Sequence, residues 1–165
     1  DLGVVVCGKQ SACIERNQPA FRAQTDEYYA SLAVLPDVLD RPKDAIMKVA
    51  VYDFDSAEHG PWPALSSFAE EAQIALSGEH WVDVQSLGTN KGVALRRIQR
   101  TLGITSAQTM VFGDFLNDLE MMDAAAYSFA MANAHPLLKE RARYLSPGNA
   151  VNGVVRTIKS VLQLD

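Results

Sequence analysis

Long apolar runs are missing from this 165-residue sequence. No stretch approaches the roughly 20 consecutive apolar residues that a bilayer-spanning helix needs, and the N-terminus lacks the basic-then-apolar pattern of a signal peptide. Basic runs are missing too. Fifteen Lys and Arg stand against 20 Asp and Glu, a net charge of −5, whereas a nucleic-acid surface calls for clustered cations. Membrane and nucleic-acid partners are therefore not expected, and a cytoplasmic setting is. Cys7 and Cys13 are the only cysteines, too few for a disulfide framework or a zinc site, and they read as buried thiols. His59, His80 and His135 are scattered, without ligand spacing or a Ser/Asp partner set, so packing or surface roles are expected of them. No repeat or low-complexity tract occurs. What remains, 48% apolar and 21% charged, is the composition of one ordinary globular domain or two small ones.

Two rhythms divide the chain. Residues 4–7 and 12–14 are short β-prone runs joined by Gly8-Lys9-Gln10-Ser11, which suits a hairpin. A helix is expected over 19–32, where Phe21, Tyr28, Tyr29 and Leu32 are apolar among polar residues, and Pro36 and Pro42 bracket an irregular connection. A strand over 46–52, a helix over 63–76 carrying Leu65, Phe68, Ala69, Ala72, Ile74 and Leu76, and a strand over 80–84 complete an α+β unit with a largely antiparallel sheet. From Lys91 the pattern alternates. A helix over 91–102 aligns Ala94, Leu95, Ile98 and Leu102 and stops at Gly103; strands over 109–112 and 128–131 and helices over 117–125, 136–141 and 151–164 follow. That alternation predicts an α/β unit with a parallel sheet. The expected domains are residues 1–86 and 87–165.

Chemistry concentrates at Met110-Val111-Phe112-Gly113-Asp114-Phe115-Leu116-Asn117-Asp118, an apolar run closed by glycine and followed by two carboxylates and a carboxamide. In open α/β sheets ligands gather beyond the carboxyl ends of the strands, where Asp114 would stand. Paired carboxylates there suit Mg²⁺, which takes oxygen ligands, keeps several waters and shares itself with substrate phosphate. Asp114 is the expected direct ligand. Asp118 would act through water or orient other groups, and Asn117 would hold a phosphate oxygen or a carboxylate. Taken alone, Gly113-Asp114 reads better as an ordinary turn and Asp118 as an ordinary helix-cap charge. Lys91 opens a helix, the wrong end for complementing the dipole, and a phosphate there would account for its charge. The bland alternative is a solvated lysine after a turn.

Four segments together carry a resemblance: Asn90-Lys91-Gly92-Val93-Ala94-Leu95, Gly113 through Met122, Ala130-Met131-Ala132-Asn133-Ala134, and Asn152-Gly153-Val154-Val155. In order and spacing they resemble the haloacid dehalogenase superfamily, specifically its Cof-type phosphatases, closely over residues 88–160 and more loosely over 1–86. The resemblance implies a Rossmann-like core that binds Mg²⁺, an aspartate phosphorylated by a small phosphorylated metabolite, and water that releases phosphate. Residues 87–165 would be the C-terminal half of that core and 1–86 its inserted α+β cap, with Trp62 and Trp81 as candidates to line it. By motif, Asp114 resembles the metal ligand, Asp118 the second acidic residue of the loop with metal and catalytic roles, and Lys91 the charge-stabilising lysine. Asn117 and Asn133 resemble groups beside the phosphate. Such a site fits phosphoryl transfer, which asks mainly for positioning and charge neutralisation.

Phe115 and Ala132 depart from the family's usual glycines. A larger departure is that the Asp-x-Asp nucleophile and Ser/Thr motif belong upstream of the cap, whereas the sequence opens at Asp1 inside a strand. The expectation is that the attacking aspartate lies outside this chain, which alone is not competent. Asp53-Phe54-Asp55 imitates a nucleophile loop but continues as Ser56-Ala57-Glu58 and stands too near Lys91, so it reads as a decoy. Two rival readings fit parts of the sequence. One is a non-catalytic phosphate sensor or interaction module on the same fold. The other, the phosphorylation domain of a P-type pump, shares a similar loop but needs membrane helices.

Overall fold

A computed structural model describes residues 1–41 and 43–164, so Pro42 lies outside the described residues. The chain forms two compact units, Asp1–Gly88 and Thr89–Asp165. Together they hold a largely antiparallel sheet and a parallel one, as the sequence predicts.

The first unit is built on a six-stranded sheet in the order β3-β2-β1-β4-β6-β5. Its strands are β1 (Leu2–Gly8), β2 (Ala12–Ile14), β3 (Leu32–Val34), β4 (Ile46–Asp53), β5 (Ala72–Gly78) and β6 (Trp81–Ser86). All neighbours are antiparallel except β2 and β3. Helix α1 (Pro19–Asp26) starts with proline in its first turn and drives Phe21 into a core of Val5, Cys7, Ala12, Ile14, Ala50 and Tyr52. Helix α1 is shorter than the expected 19–32. Tyr28 and Tyr29 both return their amides to the Thr25 carbonyl, at 3.1 and 3.0 Å, and Leu32 is captured by the open edge of β2. Strand pairing there outweighs helical propensity. The expected helix over 63–76 is likewise corrected: α2 is only Pro61–Leu65, a 3-10 turn covers Ser66–Phe68, and Ala72, Ile74 and Leu76 lie in β5. Those three residues recur every two positions as well as fitting a helix, and hairpin pairing with β6 decides between the periods.

The second unit holds a three-stranded parallel sheet, β7 (Met110–Gly113), β8 (Tyr127–Met131) and β9 (Tyr144–Ser146), in that order. The third strand is not among the expected ones, because three residues between Arg143 and Pro147 carry no periodicity. Helix α3 (Lys91–Leu102) keeps its predicted bounds: Asn90 caps it by accepting the Val93 amide at 2.8 Å, and Gly103 ends it at φ 66°. Its apolar line is only partly covered, with Ile98 51% and Leu102 65% exposed. Instead Gly92 and Gln99 are its buried residues, and Gln99 donates to Thr109 Oγ1 and the Ala124 carbonyl, both at 2.9 Å. The expected helix over 117–125 shrinks to a 3-10 turn, Leu116–Asp118, and one helical turn, α4 (Leu119–Met122). Helices α5 (Pro136–Arg141) and α6 (Gly153–Leu162) complete the unit. Its core comprises Val111, Met122, Ala125, Ala130, Met131, Ala134 and Leu138.

Candidate active site

Strand β7 delivers Gly113 and Asp114 to the carboxyl edge of the parallel sheet. The chain then doubles back so tightly that a Cβ on Gly113 would lie 2.7 Å from Asp118 Cβ and 2.7 Å from Met122 Cε. Only glycine admits that approach, and it brings the Asp118 carboxylate under the strand end. Asp118 is 4% exposed. Its two oxygens have different partners: Oδ1 accepts from Lys91 Nζ at 2.5 Å, and Oδ2 accepts from the Asp114 amide at 3.2 Å.

Lys91 reaches Asp118 because α3 and α4 pack closely at their N-terminal ends. A Cβ on Gly92 would fall 2.3 Å from the Glu120 carbonyl, so the glycine beside the lysine is a steric requirement. The lysine side chain is half exposed. Its ammonium is thus anchored on one side by a buried carboxylate and open to solvent on the other, the arrangement of a cation that can also meet an anionic ligand. An open hollow of about 350 Å³ is lined by Lys91, Gly113, Asp114, Asp118 and Asn149, with Phe112, Met121, Met131 and Val154 as its apolar wall.

Of the residues expected from sequence, Lys91, Asp114 and Asp118 meet at this hollow. Asn117 and Asn133 do not line it. Asn117 is half-buried in the turn and its side chain makes no hydrogen bond among the described residues. Asn133 is exposed, and its Oδ1 accepts the Asn149 amide at 3.2 Å. Asn149 itself escaped the sequence reading, although its Nδ2 donates to Asp114 Oδ2 at 3.0 Å. The signal available was its place three residues before the quoted Asn152-Gly153 segment, in the turn between β9 and α6.

Among the described residues, no group of three or more His, Cys, Asp or Glu is placed to hold a metal. Asp118 has both oxygens engaged, while Asp114 Oδ1 accepts no hydrogen bond among the described residues. One uncommitted carboxylate oxygen, with a second carboxylate behind it, fits Mg²⁺, which fills the rest of its shell with water and substrate phosphate.

The aspartates at the imitation loop have a local task. Asp53, buried at the end of β4, accepts the Asp55 amide on Oδ1 at 2.9 Å, and its Oδ2 sits where a Cβ on Gly60 would fall.

The sequence pattern of the haloacid dehalogenase-like hydrolase family matches residues 3–158. This chain belongs to that family. It is 29% identical over 165 residues to the 5-amino-6-(5-phospho-D-ribitylamino)uracil phosphatase YbjI of Escherichia coli, covering 99% of this chain and 60% of that protein. Over 90 residues it is 37% identical to the Bacillus subtilis phosphatase of the same description, YcsE, covering 54% of this chain and 36% of the relative. The solved structure of SMU.1108c from Streptococcus mutans UA159 matches with a TM-score of 0.89 at 23% identity, over 99% of this chain and 62% of the other, which shows a shared fold. This haloacid dehalogenase-like chain therefore spans about 60% of the length of the E. coli relative. No helix among the described residues is long and apolar enough to cross a membrane.

Proposed function

We propose that this chain is part of a Mg²⁺-dependent phosphatase that hydrolyses a small phosphorylated metabolite, such as a sugar or polyol phosphate, in the cytoplasm. Thr89–Asp165 would be the C-terminal half of the catalytic core and Asp1–Gly88 its cap. The attacking aspartate would come from residues outside this chain. The observation that carries the reading is the Lys91–Asp118–Asp114 constellation at the end of β7, with one carboxylate oxygen free and one ammonium open to the hollow. Two relatives described as phosphatases of one ribityl phosphate support it.

A bound Mg²⁺ would neutralise phosphoryl oxygens and help orient them. Asp114 would hold it through Oδ1. Lys91 would lend a second positive charge, and Asp118 would keep that ammonium in place while fixing the backbone of Asp114. Positioned charge of this kind is most of what phosphoryl transfer requires from a protein. The Asn117 amide, with no partner among the described residues, remains available to a phosphate oxygen.

The test is hydrolysis of para-nitrophenyl phosphate and a panel of sugar and polyol phosphates by the protein extended to the length of its relatives, with and without Mg²⁺. Metal-dependent turnover, lost in Asp114→Asn, is expected. Phosphate binding without turnover would overturn the enzyme reading in favour of a sensor.

A further inference from the structure

Asp114 is gripped by three loops at once. Its amide donates to Asp118 Oδ2 at 3.2 Å, its carbonyl accepts the His135 amide at 2.8 Å, and its Oδ2 accepts Asn149 Nδ2 at 3.0 Å. Only the last of these touches the carboxylate. An aspartate side chain has three staggered χ1 wells and a broad, two-fold last torsion, so a carboxylate without a partner samples several orientations. Whatever holds one oxygen therefore decides how the other is presented to the hollow.

The partner that does so is itself seated without help from Asp114. Asn149 opens a tight turn closed by three backbone bonds: Val151 and Gly153 amides to the Gly148 carbonyl at 3.3 and 3.1 Å, and the Asn152 amide to the Asn149 carbonyl at 3.1 Å. Asn152 sits in the left-handed region at φ 55°, and a Cβ on Gly153 would fall 1.8 Å from the Pro147 carbonyl oxygen. Asn133 completes the seat by accepting the Asn149 backbone amide at 3.2 Å. Ordering the Asn149 side chain thus costs little backbone entropy, because the turn is already fixed. The chemistry of the side chain suits the task as well. A carboxylate at this position would repel Asp114, and a lysine or arginine would pair with it and compete with a cation; an amide donates a hydrogen bond without adding charge.

We infer that Asn149, seated by Asn133, is a positioning residue that holds the Asp114 side chain in one rotamer, with the other carboxylate oxygen facing the hollow. The purpose of the brace rests on the proposed role of Asp114 as a metal ligand, while its geometry does not. Asn133, expected beside the phosphate, has its Oδ1 committed to anchoring this turn.

The experiment uses the 165-residue chain and NMR, with two readouts. Side-chain scalar couplings report the Asp114 χ1 rotamer, and line broadening by Mn²⁺ reports cation affinity. The unaltered chain should show one rotamer; Asn149→Ala should average it and weaken Mn²⁺ binding about two- to tenfold, the worth of one hydrogen bond. Asn133→Ala should act in the same direction but less. The double variant should match Asn149→Ala alone, because the two residues work in series. Asn149→Ser serves as a second variant should the alanine disturb the β7–β9 amide spectrum. A single Asp114 rotamer retained in both Asn149 variants overturns the brace, as do losses that merely add. Rotamer averaging with no Mn²⁺ broadening in any chain upholds the brace and overturns Asp114 as a metal ligand.

Discussion

Replacing Lys91 with methionine isolates the physics of the site. The pair it breaks is lopsided: the Asp118 side chain is 6% exposed and that of Lys91 50%. An ion pair wholly in water is worth about 0–1 kcal/mol, and removing one partner of a wholly buried pair costs about 3–5 kcal/mol. The Lys91→Met variant strands the buried member, which still accepts the Asp114 amide. Solvent screening on the lysine side further discounts the loss. A cost of about 1–3 kcal/mol is therefore expected. The reverse variant, Asp118→Asn, leaves a lysine that can turn to water and should cost less. The double variant should be more stable than Lys91→Met alone, since an amide tolerates burial better than an unpaired carboxylate. Urea unfolding followed through the β7 amide NMR signals would measure all three, because both tryptophans, Trp62 and Trp81, lie in the first unit and do not report on the second. If Lys91→Met is neutral, or the double variant is no more stable than Lys91→Met, then Asp118 is not held by Lys91 as described.

Other outcomes follow from the same structure. Asp114→Asn should weaken Mg²⁺ or Mn²⁺ binding with little change in unfolding midpoint, because Asp114 is only half-buried; unchanged affinity in a calorimetric titration would contradict its assignment. Gly113→Ala should destabilise the second unit by about 1–3 kcal/mol through forced displacement of Asp118 and Met122, read by thermal unfolding. Burial raises the Cys7 thiol above its ordinary value of 9.0, the bond to Tyr29 only partly opposing it, and burial likewise raises Tyr52 above 10.0. Both groups are favoured in their neutral forms in the folded state. Their stabilisation is thus complete below about pH 9 and is lost as pH rises through the raised values. Tryptophan fluorescence should show the first unit unfolding at lower urea at about pH 11 than at about pH 8, and a Cys7→Ala variant should show a smaller difference.

The legible parts of this protein are those whose cause is local. Helix α3 announces both ends by an Asn90 cap and a Gly103 stop, and α5 begins at a proline. Strand β7 ends at glycine, and the carboxylates after it could be placed at a sheet edge by topology alone. The order of motifs then pointed to the family, which the match over residues 3–158 shows. Misread segments are those settled by a strand partner outside the segment itself. Leu32–Val34 is a strand because the edge of β2 is open to it, and Ala72–Gly78 is a strand because β6 folds back on it. The site divides in the same way. Residue types and spacing brought Lys91, Asp114 and Asp118 forward as candidates, and the structure places all three at one hollow. Which Asp118 oxygen meets Lys91, and that Asn149 rather than Asn117 or Asn133 touches Asp114, are consequences of packing at Gly92, Gly113 and Gly153. Local propensity and spacing determine which groups are available; close approach between loops far apart in the chain decides which atoms of those groups meet, because that depends on steric fit no linear pattern contains.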